Sequence, residues 1–312
     1  MERTALVTGC STGIGRATAR RFREAGWEVY ATAQDADEIG DLREAGRRTV
    51  ELGVTDDAAV RAAVDRAYDE RGRLDCLVNN AGYGQFGPVE DVPMDRVVEQ
   101  FDVNAFGPLR FVRAALPRMR DHGGTVINVT AGVGNLTLPG IGVYNGSKYA
   151  LESITDALRQ EVTAEGVDVV AVEPGFVATD FYDRALAELD SLARSPAYAD
   201  RYRVLDRIGV VEWGSLGIND PDRVAGAIHS AAVADSPDAV YRVGPVAVGL
   251  TYLGQPLRGR LRGRVTRAGV ALLASDLGQR LLDRLEGGAA ERRERPERRE
   301  GSEARDPGAG RE

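Results

Sequence analysis

Tyr144 and Lys148 stand four residues apart in the stretch Tyr144-Asn145-Gly146-Ser147-Lys148. On a helix that spacing puts a phenol and an ammonium one turn apart on the same face. A nearby cation favours the phenolate, so the tyrosine pKa is expected to fall towards the range where the group acts as acid or base. Composition sharpens the signal. The chain has 40 Lys and Arg residues, and Lys148 is the one lysine among them. Arginine is a rigid fork that stays charged, whereas lysine is a compact point charge on a flexible stem. The pattern alone fits an ordinary helix-face pair equally well, and the residues around it must decide.

A second cluster is suited to an anion. Thr8-Gly9-Cys10-Ser11-Thr12-Gly13-Ile14-Gly15 follows the short apolar run Thr4-Ala5-Leu6-Val7 and precedes a helical pattern from Arg16 to Gly26. Glycines let a backbone approach a pyrophosphate, and the free N–H groups and dipole of the helix start stabilise its charge. Cys10 has no His or acid placed to activate it, so it reads as a plain loop residue. In dinucleotide folds an acid near the end of the second strand binds the ribose hydroxyls of NAD, and a base accommodates the 2′-phosphate of NADP. Here that end reads Ala33-Gln34-Asp35, which carries neither signal clearly. Asn79-Asn80-Ala81-Gly82 suits a backbone turning sharply beside a ligand at a strand's carboxyl end. Asn104 lies among Phe101, Val103, Ala105 and Phe106; a buried amide there needs partners, and the alternatives are a bound water or a solvated helix face.

The elements that must position these residues alternate between strands and helices. Apolar or strand-like runs fall at 4–8, 28–33, 49–52, 75–79, 124–130, 167–172 and 239–243. Helical patterns fall at 16–26, 56–71, 93–119 (with a break near Gly107-Pro108), 144–165 and from Pro221. Near-continuous apolar strands with helices between them predict an α/β fold: a Rossmann-type, doubly wound parallel sheet of about seven strands, helices on both faces, in the order 3-2-1-4-5-6-7. Residues 1–245 then form one domain. Within it, 176–220 carries Phe176, Phe181, Tyr182, Tyr198, Tyr202 and Trp213 and reads as a lid. Residues 246–286 look like a helical extension, whose Arg258, Arg260, Arg262, Arg264 and Arg267 read as a solvated face. Residues 287–312 contain no Val, Ile, Leu, Met, Phe, Trp or Tyr, so that tail is expected to be disordered.

Composition excludes several classes. The 312 residues are 43% hydrophobic and 28% charged, with a net charge of −8, which argues for a globular protein and against broad nucleic-acid binding. Two cysteines, Cys10 and Cys76, supply no disulfide framework and fit a reducing compartment. No apolar run approaches the ~18 residues of a membrane span, membrane contact is not expected, and the first strand begins almost at Met1 with no signal peptide ahead of it. The expectation is a cytoplasmic protein.

With these residues in place, the chain resembles the short-chain dehydrogenase/reductase family over roughly residues 3–245. The glycine loop resembles that family's cofactor loop, and Asn79-Asn80-Ala81-Gly82, with Asp75 before it, resembles its fourth-strand motif. Asn104 occupies the position of the catalytic asparagine, and Tyr144 with Lys148 matches the catalytic pair. Pro174-Gly175 with Thr179 resembles the loop that holds the nicotinamide amide. The resemblance implies NAD(P)(H)-dependent hydride transfer between an alcohol and a ketone or aldehyde. It makes Tyr144 the general acid/base, gives Lys148 the nicotinamide ribose, and gives Asn104 a water in the proton relay. It also implies a homodimer or homotetramer, for which Leu151, Ile154, Leu158 and Val162 could supply a face or could be core.

The chain departs from the family at ligand-contact positions. Ala131 stands where a substrate-binding serine is usual, thirteen residues before the tyrosine. Gly53 replaces an adenine-binding acid, and Gln34 stands where NADP-preferring relatives have arginine. No carboxylate at Ala33 repels a 2′-phosphate, so NADP(H) is expected to be slightly favoured over NAD(H). Phe86, Leu136, Leu138, Ile141, Phe176, Phe181 and Trp213 are the candidates for an apolar substrate pocket, or in part plain core. Ala131 and Gly53 keep a second reading open: a dinucleotide-binding sensor or subunit with little or no catalysis.

Overall fold

The computed structural model describes residues 2–132, 138–210, 219–244 and 263–264, with side chains in the eighth helix up to Asp206. The strands are β1 (Thr4–Val7), β2 (Glu28–Ala33), β3 (Arg48–Glu51), β4 (Cys76–Asn79), β5 (Gly124–Val129), β6 (Val167–Pro174) and β7 (Val240–Val243). They form one sheet in the order β3-β2-β1-β4-β5-β6-β7, and every pairing is parallel. Both the order and the direction are those expected from the sequence. The helices are α1 (Gly13–Glu24), α2 (Gly40–Glu44), α3 (Asp57–Arg71), α4 (Met94–Phe101), α5 (Gly107–Met119), α6 (Gly142–Val162), α7 (Phe181–Asp190), α8 (Ala199–Val210) and α9 (Pro221–Val233).

Burial on both faces explains the unbroken apolar strands. Ala5 and Val7 of β1 point into a cluster shared with Phe22 of α1 and with Val224 and Ile228 of α9. Leu6, between them, points the other way into a cluster with Val60 and Val64 of α3, Phe111 of α5 and Leu158 of α6. Alternation along a strand therefore feeds two cores at once. Leu151, Leu158 and Val162 are buried, so they are core of this chain and cannot form the subunit face considered above; Ile154 is only half-buried.

The helix at 93–119 departs from expectation. The interruption lies ahead of Gly107, as a π-helical turn over Asp102–Phe106 that joins α4 to α5. Pro108 has no N–H, so the carbonyl of Asn104 cannot receive its α-helical bond, and the ladder shifts to a wider turn at that point. The other differences are small. α1 starts at Gly13 rather than Arg16, so the glycine loop itself enters the helix. α6 starts two residues before Tyr144 and gives way at Thr163–Glu165 to a tighter turn. Trp213, Leu136, the tail at 287–312 and nearly all of the extension at 246–286 lie outside the described residues.

Candidate active site

Most of the described residues singled out for ligand contact converge at the carboxyl ends of the strands. One cavity of about 710 Å³ runs from Gly9, Ser11, Thr12, Gly13 and Ile14 past Gln34, Asn80, Ala81 and Gly82 to Tyr144 and Lys148. Pro174, Gly175, Phe176 and Thr179 line it, as do Ala131, Phe86 and Ile141. Gly15 and Asn104 sit just behind its wall, and both shape it.

The glycine loop is built for close approach. Gly9 and Gly13 have φ of 70° and 57°, conformations that side chains rarely adopt. A Cβ on Gly15 would meet the Gly9 oxygen at 2.1 Å, and one on Gly9 would meet Ala81 Cα at 2.7 Å. Thr8 and Asn80 tie the loop to the end of β4. The Thr8 hydroxyl accepts from Asn80 N at 2.9 Å and Ala81 N at 3.0 Å, and Asn80 Nδ2 donates to Thr8 O and Gly9 O at 2.9 and 3.1 Å. The cradle and the helix start beneath it fit a dinucleotide pyrophosphate. Cys10 is buried, and that burial pushes its thiol up to about 12.

At the carboxyl end of β2, Gln34 and Asp35 line the cavity beside Leu52, Val54 and Thr55. Asp35 accepts the amide of Asp37 at 2.8 Å, which holds its carboxylate in the turn after β2.

Asn104 is buried, and its amide is fully engaged with protein. Nδ2 donates to Tyr83 O and Ser147 Oγ, each at 3.0 Å, and Oδ1 accepts from Tyr83 N at 3.1 Å. The side chain therefore fastens the loop after Gly82 to α6. Ser147 in turn donates to Tyr144 O at 2.7 Å. A buried chain that begins at Asn79 and runs through Asn128 and Thr155, which sequence reasoning did not single out, does similar work deeper in the fold. Asn79 Nδ2 donates to Asn128 Oδ1, Asn128 Nδ2 to Thr155 Oγ1, both at 2.8 Å, and Thr155 Oγ1 to Leu151 O at 2.7 Å. It locks α6, and with it Tyr144 and Lys148, to the ends of β4 and β5.

Tyr144 sits in an aromatic wall, with ring centroids 6.0 Å from Phe86 and 5.4 Å from Phe181. Tyr182 packs on Phe181 at 5.4 Å and Phe176 at 5.8 Å and also lines the cavity. Burial holds the Tyr144 phenol well above its ordinary range. This corrects the expectation of a lowered tyrosine: the shift comes from burial alone. Burial acts on Lys148 too, pushing its amine from 10.5 down to about 8, and Nζ donates to Val129 O at 3.0 Å.

Ala131 presents a methyl group to the cavity, and its neighbour Thr130 donates its hydroxyl to Val172 O at 3.4 Å. Phe181, Tyr182, Leu186 and Leu205 line the cavity, and the segment that carries them is tied to the stretch ahead of α4. Tyr202 Oη and Ser195 N both donate to Asp91 Oδ2, at 2.7 and 3.0 Å, Tyr198 Oη donates to Glu90 Oε2 at 2.7 Å, and Arg96 pairs with Glu188.

Comparison with known proteins agrees with this geometry. The family model described as short chain dehydrogenase matches residues 3–189. The uncharacterized oxidoreductase YbbO of Escherichia coli K12 is 32% identical over 272 residues, spanning 85% of this chain and 94% of the relative. The NADPH-dependent 3-dehydrocapnine reductase of Ornithobacterium rhinotracheale is 33% identical over 253 residues, 78% of this chain and 88% of the relative. A solved short-chain dehydrogenase from Streptomyces avermitilis superposes with a TM-score of 0.71 at 29% identity, covering 89% of this chain and 98% of that one.

Proposed function

This chain belongs to the short-chain dehydrogenase/reductase family of NAD(P)-dependent oxidoreductases, and we propose that within it the protein is an NADP(H)-linked reductase of an apolar ketone. The observation that carries this reading is the single cavity in which the glycine cradle, Tyr144, Lys148 and an aromatic wall meet. NADP(H), when bound, supplies or removes the hydride. The residues suited to hold it are Gly9, Ser11, Thr12, Gly13, Ile14 and Gln34 at one end, with Asn80, Ala81 and Gly82, then Lys148, Pro174, Gly175 and Thr179 at the other.

In the reducing direction Tyr144 donates its proton to the carbonyl oxygen while the carbonyl carbon accepts hydride; in the oxidising direction it takes the proton back. Burial keeps the phenol protonated, and the alkoxide developing on the carbonyl oxygen is basic enough to take that proton. Lys148 holds the ribose, and an amine with a value of about 8 can pass a proton on near neutral pH. Asn104 contributes by position: its side chain fastens the loop after Gly82 to the helix that carries Tyr144 and Lys148. Phe86, Ile141, Phe176 and Phe181 form the apolar substrate wall. The NADPH-dependent relative supports the cofactor preference, as does the absence of a carboxylate at Ala33.

A turnover screen tests the reading: aliphatic, aromatic and steroid-like ketones, each with NADPH and NADH, followed by loss of reduced-cofactor absorbance. The reading requires turnover of at least one apolar ketone. Ala131 and Gly53 favour the second reading, a nucleotide-binding protein without catalysis. Tight NADPH binding with no turnover of any carbonyl would select it.

A further inference from the structure

Asn219 lies in no motif, yet it is 3% exposed and sits between three elements at the nicotinamide end of the cavity. The stretch after β6 must leave the sheet to line the site, and its backbone groups then need new partners. Asn219 provides them. Its amide N donates to Phe176 O at 3.0 Å, and its carbonyl accepts from Ala178 N at 3.1 Å. Its side-chain Nδ2 donates to Phe176 O at 3.1 Å and to Val243 O at 3.3 Å. That Val243 oxygen also receives Gly175 N at 2.9 Å, so one side chain joins the loop to the end of β7.

The fit is tight at both ends of the loop. Gly244 has φ of 98°, and a Cβ there would lie 2.0 Å from Asn219 Nδ2. At the far end, a Cβ on Gly13 would lie 2.6 Å from the methyl of Thr179. The loop is therefore held between the glycine cradle and Asn219. Ser11, Gln34, Leu52 and Val54, which line the adenosine end, share none of these bonds.

We propose that Asn219 is the positioning residue of the Pro174–Thr179 loop, so that it governs binding of the nicotinamide half of the cofactor and not of the adenosine half. The proposal rests on the reading that this loop receives the nicotinamide. Asn supplies what its nearest substitutes cannot. Asp has the same shape but no donor and would face two carbonyl oxygens, and Ser is too short to reach both.

The test compares whole and truncated cofactors on the full chain. Dissociation constants for NADPH and for 2′-phospho-ADP-ribose, which lacks the nicotinamide, are measured calorimetrically for the parent, Asn219→Asp and Asn219→Ser. The expected result is that the advantage of NADPH over the fragment falls by about tenfold or more in both variants, while the fragment's own affinity stays within about twofold. An unchanged ratio, or equal weakening of both ligands, overturns the proposal and marks Asn219 as a general fold residue. If the variants do not fold, amide hydrogen exchange in the parent decides. NADPH should slow exchange at Ala178 and Asn219 where the fragment does not; equal slowing by both, or by neither, overturns it. A parent that binds neither NADPH nor NADH contradicts the cofactor reading itself and the proposal with it. A parent that binds NADPH while the variants keep its ratio contradicts the proposal alone.

Discussion

Lys148 donates from Nζ to the carbonyl oxygen of Val129 at 3.0 Å, which places the chain's one lysine against a neutral acceptor at the end of β5. Burial then lowers the amine from 10.5 to about 8. The sign of the linkage follows. Below pH 8 the lysine is protonated in both folded and unfolded chains, and the folded state bears the full desolvation penalty, about 3 kcal/mol. Between about pH 8 and 10.5 the unfolded chain binds more protons, so stability rises with pH and the penalty disappears. Lys148→Met removes the penalty together with one hydrogen bond worth about 1 kcal/mol. It is expected to stabilise the protein by roughly 2 kcal/mol at pH 7 and to lose that advantage by pH 10.5. Denaturant unfolding of parent and variant across that range checks this; a variant that is less stable at pH 7 contradicts it.

Position 131 predicts a slow enzyme. A preorganised donor beside a developing oxyanion typically contributes about 10²–10³ in rate, and Ala131 has none, while the Thr130 hydroxyl is directed to Val172 O. Ala131→Ser is expected to raise kcat by at least about tenfold, with cofactor affinity unchanged, and Thr130→Val to cost little. Steady-state kinetics on the two single variants separates this from the rival arrangement, in which Thr130→Val removes activity and Ala131→Ser does nothing.

Cofactor choice should turn on Gln34. A neutral amide at the end of β2 neither repels nor pairs with a 2′-phosphate, so the parent is expected to favour NADP(H) by less than about tenfold. Gln34→Asp should weaken NADPH by at least about tenfold and leave NADH unchanged or tighter. Parallel titrations with both cofactors read this directly, and equal effects on the two would show that the ribose does not lie at Gln34.

The lid is held down by Asp91, whose one carboxylate oxygen receives both Tyr202 Oη and Ser195 N. Asp91→Ala is expected to raise the KM for the ketone several-fold while leaving the NADPH dissociation constant unchanged, because Asp91 binds the segment that carries Leu205 and no residue of the glycine loop. A shift in cofactor affinity of the same size would mean that the lid acts on the whole cavity.

Much of this arrangement is legible in the sequence because local rules fix it. The Tyr144–Lys148 spacing places both groups on one helical face, and runs such as Val169–Val172 with helical patterns between them leave little choice but a two-sided parallel sheet. The glycines at 9, 13 and 15 are readable because only a close backbone approach requires them there. What escapes is set by tertiary contact. Asn219 and Thr155 are isolated polar residues with no motif around them, and only the fold shows them buried and bonded across strands. The direction of the Tyr144 shift depends on Phe86 and Phe181, which lie far away in sequence, so the local cation suggested the opposite. The π turn at Asn104 was half visible: Pro108 announced a break, but the backbone carries its consequence four residues upstream.

The most direct test of the whole account is the activity of Tyr144→Phe, measured beside its NADPH dissociation constant on a ketone that the parent reduces. The change removes one hydroxyl and keeps the ring packed between Phe86 and Phe181. The account predicts that turnover is abolished while NADPH binds within about twofold of the parent, since the loss is one of proton transfer and not of binding. A variant that keeps most of the parent's turnover would contradict the assignment of Tyr144 as the acid/base group.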